Sequence, residues 1–261
     1  MMNTGNTMHT LRRFLRDLAV TLLLWMYFTL GFVIFFLPFY LGAFFFISSP
    51  EAAFQKLNHY FYRGFFQWLH LLMPGLTIRV DPALRRLRGA VVVSNHHSYL
   101  DPLVFQSIFA RQTTIVKSGF FQVPIFGWLI KTAGYMPASA EGPFGDLMLQ
   151  RMATLRDFFS SDGVMFVFPE GTRRPGRPIG TLHEGAFKIA RSCQVPLAVA
   201  RLRNTERVFA PGRFLFHTTD PVTIEIDLVE TFNADPDGEM LKVAELKKKV
   251  GAILSQGADQ F

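Results

Sequence analysis

The residues able to do chemistry gather in two short segments, each at the end of an apolar run. The first is Ser94-Asn95-His96-His97-Ser98-Tyr99-Leu100-Asp101-Pro102, which follows Ala90–Val93. Histidine is a suitable base near neutral pH. A carboxylate five positions on can accept from one ring nitrogen, fix the tautomer and leave the other nitrogen free to take a proton. His96 and Asp101 are therefore the candidate base and its orienting acid. Asp101 directly before Pro102 also fits a helix N-cap, with proline at the first helical position. The second segment is Phe168-Pro169-Glu170-Gly171-Thr172-Arg173, after Val164–Val167. Gly171 permits close approach of the backbone, while Glu170, Thr172 and Arg173 put an acceptor, a hydroxyl and a planar cation into one turn. Arginine suits phosphate through paired N–H donors. A plain surface turn with a Glu–Arg ion pair is the competing account.

Two other groups carry less. His97 beside His96 could suggest a metal site, but adjacent residues at a strand end point different ways. No second ligand cluster follows at a familiar spacing, so no metal is expected and His97 reads as structural. Cys193 is the sole cysteine. It falls in an amphipathic helical pattern and reads as a small core residue rather than a nucleophile.

The elements that must position these residues alternate in type. Strand-like runs fall at Thr77–Val80, Ala90–Val93, Thr113–Val116, Val164–Phe168, Val195–Ala200 and Thr223–Val229. Helical patterns fall at Pro102–Ala110, Val123–Ala133, Phe144–Phe159, Leu182–Ser192 and Met240–Leu254. This predicts an α/β domain over 76–261, with a largely parallel sheet flanked by helices. In such a sheet ligands bind at the carboxyl ends of the strands, where both polar segments fall.

Ahead of that domain lies a membrane anchor. Residues 18–47 carry no charged side chain. As helix these thirty residues would extend about 45 Å, more than the roughly 30 Å hydrocarbon core. Arg12, Arg13 and Arg16 precede the run in a basic segment, 1–17, and Lys56 and Arg63 follow it, so both flanks read as cytoplasmic. Pro38 inside the run predicts a break. The segment is then either a re-entrant pair or a single span. Residues 48–75, rich in aromatics with interleaved polar groups, read as an interfacial amphipathic helix, with a core helix as the alternative.

Composition agrees. The chain has 261 residues, 49% of them hydrophobic, 29 Phe and a net charge of +7. One cysteine excludes a disulfide framework, and the apolar content excludes intrinsic disorder. Basic charge with this much phenylalanine points to a lipid surface or an anionic substrate. No nucleic-acid-binding signature is present, and no nucleic-acid partner is expected.

In order, Asn95-His96-x-Ser98-x-x-Asp101 followed by Phe168-Pro169-Glu170-Gly171-Thr172-Arg173 resembles the glycerolipid acyltransferase family, which contains the 1-acylglycerol-3-phosphate (lysophosphatidate) acyltransferases. Lys117 with Pro124, Gly127 and Gly134 is similar to the family's stretch between those motifs. Val195-Pro196-Leu197-Ala198-Val199 is similar to its fourth block, a strand associated with the acyl chain. The resemblance implies transfer of a fatty acyl group from a thioester to the hydroxyl of a lysophospholipid, with His96 and Asp101 catalytic. It implies Lys117, Glu170, Gly171, Thr172, Arg173 and Pro196 as substrate-binding residues. It implies no cofactor, acyl-CoA or acyl carrier protein as co-substrate, and a place on the cytoplasmic face of the cell (inner) membrane. One block departs. The family's Gly-x-x-Phe-Ile-Asp-Arg motif, whose Arg is implicated in binding the acceptor phosphate, aligns with Gly134-Tyr-Met-Pro-Ala-Ser139. This opens the acceptor to other lysophospholipids, with Arg173, Arg174, Arg177, Arg201 or Arg203 as replacement cations. A non-catalytic lipid-binding protein and a thioester or lipid hydrolase using water are the alternatives.

Overall fold

A computed structural model describes residues 4–139, 142–173, 179–235 and 239–256. The strands are β1 (Leu76–Val80), β2 (Ala90–Ser94), β3 (Gln112–Val116), β4 (Met136–Pro137), β5 (Val164–Val167), β6 (Leu197–Arg203) and β7 (Val222–Phe232). They form one sheet in the order β1-β7-β6-β2-β5-β3-β4. The β6–β7 pair is antiparallel; every other pairing is parallel. The fold is thus α/β with a largely parallel sheet. The two-residue β4 and the short helices α4 (Pro82–Arg86) and α9 (Thr205–Val208) lie outside the expected elements.

β2 sits in the middle of the sheet, and all five of its residues are buried. Its side chains alternate between two cores, as the pleat dictates. Val92 joins Phe65, Leu69, Val104 and Phe105 on the face covered by α3 (Glu51–Leu72) and α5 (Asp101–Ile108). Val91 and Val93 join Phe158, Phe187, Leu246 and Val250 on the face covered by α7 (Gly145–Ser160), α8 (Gly185–Cys193) and α10 (Val243–Ser255). A strand buried on both faces is what reads as a continuous apolar run.

The N-terminal apolar segment is one helical stretch. It comprises α1 (Thr4–Met26), a wider π-helical section (Tyr27–Phe36) and α2 (Leu37–Phe46). The break expected at Pro38 does not occur. The Leu37 N–H donates to Phe32 O, five residues back. The widened turns ahead of Pro38 relieve the clash its ring would otherwise make with the preceding turn.

The chain reverses instead at 47–50, and α3 runs back antiparallel. Tyr27 meets Phe61 and Phe65, Phe36 meets Phe61, and Tyr40 meets Phe54. Polar bonds join the same helices: Tyr27 Oη donates to Phe61 O at 2.7 Å and Tyr40 Oη to Asn58 Oδ1 at 2.6 Å. Most aromatic rings of α3 are therefore internal, as in the core-helix alternative. Phe54, Phe61, Tyr62, Phe65 and Phe66 are all buried. α3 leaves exposed Lys56, Tyr60, Arg63, Gln67 and His70, together with Ala52 and Leu71.

Candidate active site

The β2 and β5 strands are neighbours in parallel register, Val93 opposite Val167. The two polar segments therefore leave the sheet side by side at its carboxyl edge. On the other flank of β2, Ser94 pairs with Ala200 of β6. Asn95 extends that pairing with its side chain. Its Nδ2 donates to Leu202 O at 2.7 Å, and its Oδ1 accepts from Leu202 N at 2.8 Å. The amide thus stands in for a strand residue while the backbone turns away, and His96 is launched from a fixed point.

His96 Nδ1 lies 2.8 Å from Asp101 Oδ2. An ionised carboxylate only accepts, so Nδ1 carries the hydrogen and Nε2 keeps its lone pair. The same Oδ2 accepts the backbone N–H of His97 at 2.6 Å and of Ser98 at 2.8 Å. Oδ1 accepts from Thr205 Oγ1 at 2.5 Å. Asp101 is fully buried, whereas the His96 side chain keeps 12% exposure. Asp101 is the first residue of α5, and no side chain caps that helix. Its carboxylate turns back over the loop, so the cap account does not describe it. The His96 ring lies on Phe168, centroids 4.2 Å apart and planes 17° apart. The second segment thereby fixes the plane of the imidazole.

Ser98 Oγ anchors the loop through Phe209 O at 2.6 Å. His97 is buried, with Nδ1 3.8 Å from Glu206 Oε2. Burial pushes the Glu206 carboxyl above the usual range. Among the described residues, no three His, Cys, Asp or Glu side chains converge as metal ligands.

Glu170 is 5% exposed. Its Oε2 accepts from Gly180 N at 3.0 Å, and its Oε1 is buried with no hydrogen-bond partner among the described residues. Gly171 has φ +65°, and a Cβ there would lie 3.2 Å from the His183 ring, so both conformation and space call for glycine. Thr172 and Arg173 are exposed. The Arg173 guanidinium carbon sits 3.8 Å over the Tyr99 ring, so a cation–π contact joins the two loops. Lys117 is exposed where β3 ends, at the same edge of the sheet. Ser139, following β4, donates its N–H to Ser118 Oγ at 3.3 Å.

Three expected residues belong elsewhere. Pro196 precedes β6, and its carbonyl accepts from Val91 N at the start of β2. It therefore lies at the amino ends of the strands, across the sheet from His96. Arg201 donates to Ile253 O at 2.6 Å, and Arg203 is paired with Glu225 and Asp227. Both are committed to the fold and do not replace the missing motif arginine. Arg174 and Arg177 lie outside the described residues. Burial raises the Cys193 thiol, which suits a packing role. Thr205 joins the site without any signal in its spacing; only the sheet order brings it there. A surface cavity bounded by Lys188, Arg191, Gln194, Met240 and Val243 shares none of these residues.

Comparison with known proteins gives the same reading. Residues 76–201 match the family model described as Acyltransferase. The chain is 32% identical over 123 residues to a chloroplastic 1-acyl-sn-glycerol-3-phosphate acyltransferase of Brassica napus, covering 47% of this chain and 35% of that protein. It is 33% identical over 125 residues to its counterpart in Arabidopsis thaliana, covering 47% and 34%. The matched part is thus about a third of the length of these relatives. In fold it is similar to the crystal structure of the 1-acyl-sn-glycerophosphate (LPA) acyltransferase from Thermotoga maritima, with TM-score 0.69, 22% identity and coverage of 96% of this chain and 98% of that one. His96, Asp101 and the Glu170–Arg173 turn all fall inside the stretch that is similar to the Acyltransferase family model.

Proposed function

We propose that the protein is a membrane-bound O-acyltransferase of phospholipid biosynthesis, moving a fatty acyl group from a thioester to the hydroxyl of a lysophospholipid. The observation that carries this is the 2.8 Å contact between His96 Nδ1 and a buried Asp101, within a stretch similar to the Acyltransferase family model. Nε2 of His96 takes the proton of the acceptor hydroxyl as that oxygen attacks the thioester carbonyl. The C–S bond breaks, and the proton passes to the departing thiolate. Asp101 holds the ring and stabilises the imidazolium that forms. The substrate's own hydroxyl takes the place of an enzyme nucleophile, so no acyl-enzyme forms. The donor is acyl-CoA or acyl carrier protein. Glu170, Gly171, Thr172, Arg173 and Lys117 bind substrate at the carboxyl edge, with Arg173 the cation for an acceptor phosphate.

The lipid bilayer is the second partner. The helical stretch Met8–Phe46 has a mean hydropathy of 2.3 in its most apolar window. It presents Leu30, Ile34, Phe35, Phe39 and Phe45 outward. On the cytoplasmic face of the inner membrane, the net charge of +7 attracts anionic headgroups and acidic carriers.

A panel of lysolipids assayed with both donor types tests the reading. A diacyl lipid is the expected product, with lysophosphatidate no better than other acceptors because Ser139 stands at the motif's arginine position. Release of free fatty acid with every acceptor would identify a hydrolase instead.

A further inference from the structure

We propose that Thr205 is a positioning residue for the His96–Asp101 pair, its hydroxyl holding one carboxylate oxygen so that the other meets the imidazole. The activity part of this rests on the acyl-transfer reading above; the geometric part does not. The two oxygens of Asp101 are served unequally. Oδ2 takes three donors, His96 Nδ1 and the backbone N–H groups of His97 and Ser98. Among the described residues Oδ1 is given one, the Thr205 hydroxyl at 2.5 Å. Thr205 comes from 104 residues away in the chain. It enters α9 from the end of β6 through Asn204, which has φ +67°. Both Thr205 and Asp101 are fully buried. Water is excluded from this contact, and a carboxylate oxygen left bare here has no substitute donor.

The sign of the effect follows. The Thr205 hydroxyl draws charge density toward Oδ1 and tempers the pull of Oδ2 on His96. Without it the carboxylate becomes the stronger acceptor and favours the imidazolium, so His96 holds its proton to higher pH. Glu206 on α9 is a charged group that interacts with Asp101, and it interacts in turn with His97 on the loop and Arg207 on α9. None of them donates to Oδ1 among the described contacts.

The test uses the full chain in detergent micelles with ¹⁵N-labelled histidine, comparing wild type, Thr205→Val and Thr205→Ser. Valine keeps the shape and removes the donor; serine keeps the donor. His96→Gln assigns the His96 signal. For Thr205→Val we expect the His96 midpoint to rise by about half a pH unit or more. The acid limb of kcat/KM moves with it, and kcat/KM near neutral pH falls about tenfold, the scale of one lost charge-assisted bond. Serine restores both. A wild-type His96 midpoint in the valine variant overturns the proposal. So does a folded serine variant as impaired as valine, since that would mean the methyl group and not the hydroxyl matters. If wild type shows no acyl transfer, the function fails on its own, and the His96 midpoint alone decides Thr205.

Discussion

The carboxylate of Asp101 does two jobs with one orientation. It braces the His97–Ser98 backbone and it aligns His96. These can be separated by Asp101→Asn. An asparagine can keep Oδ1 toward the backbone N–H groups and turn Nδ2 toward the Thr205 oxygen, so the loop should survive. The neutral amide cannot stabilise an imidazolium, and we expect kcat to fall by about a hundredfold or more with the thermal midpoint little changed. Full activity in that variant would reduce Asp101 to a loop brace. The spacing of His96 and Asp101 in sequence carries the pairing but not the choice between cap and orienter. That choice depends on which way a side chain turns at a helix start, and the apolar run before it leaves both open. The role of Thr205 is invisible for another reason: its partner is 104 positions away and only β6 packing against β2 joins them.

At the scale of elements, the site is made by strands that end together. β2 and β5 are legible because both are short and apolar and run within a few residues into a polar loop. Their common edge follows from parallel pairing. Pro196 shows the limit of that logic. A motif at the beginning of a parallel strand lies at the opposite edge from one at the end of its neighbour, and sequence order alone hides the difference. The π-helical section is equally unreadable, since a segment apolar on all sides has no periodicity to betray a change of pitch.

Asn95 is where the strand frame passes into the loop. Replacing it with alanine leaves both the N–H and the C=O of Leu202 without their partner in a buried setting. We expect Asn95→Ala to cost about 2 kcal/mol or more, read from denaturant unfolding. Activity should fall with it, because His96 loses its fixed origin. An unchanged midpoint would mean that the β2–β6 ladder needs no side-chain extension.

Over the whole molecule, the N-terminal helix is built into the α/β domain on one side and bare on the other. Asp17 Oδ1 accepts from the N–H and hydroxyl of Thr218, and Thr21 Oγ1 accepts from Phe216 N. Phe216 stacks on Phe209 at 4.2 Å, and the Phe209 carbonyl holds Ser98 in the His96 loop. Cutting the helix away would strip Val20, Leu24 and Tyr40 from the core, so truncation confounds anchoring with folding. Changing only its outer face does not. With Phe35, Phe39 and Phe45 replaced by serine, we expect the thermal midpoint to move by a few degrees at most, because these side chains are largely exposed. Flotation with anionic vesicles should fall sharply. Undiminished flotation would place the lipid contact elsewhere on the surface.

The central claim is that the Nε2 of one imidazole takes a proton from the acceptor hydroxyl. His96→Ala, purified in the same detergent as wild type and assayed for transfer from acyl thioester to lysolipid, tests it most directly. The account predicts a folded protein, equal vesicle binding and turnover lower by about a hundredfold or more. Turnover close to wild type would contradict it.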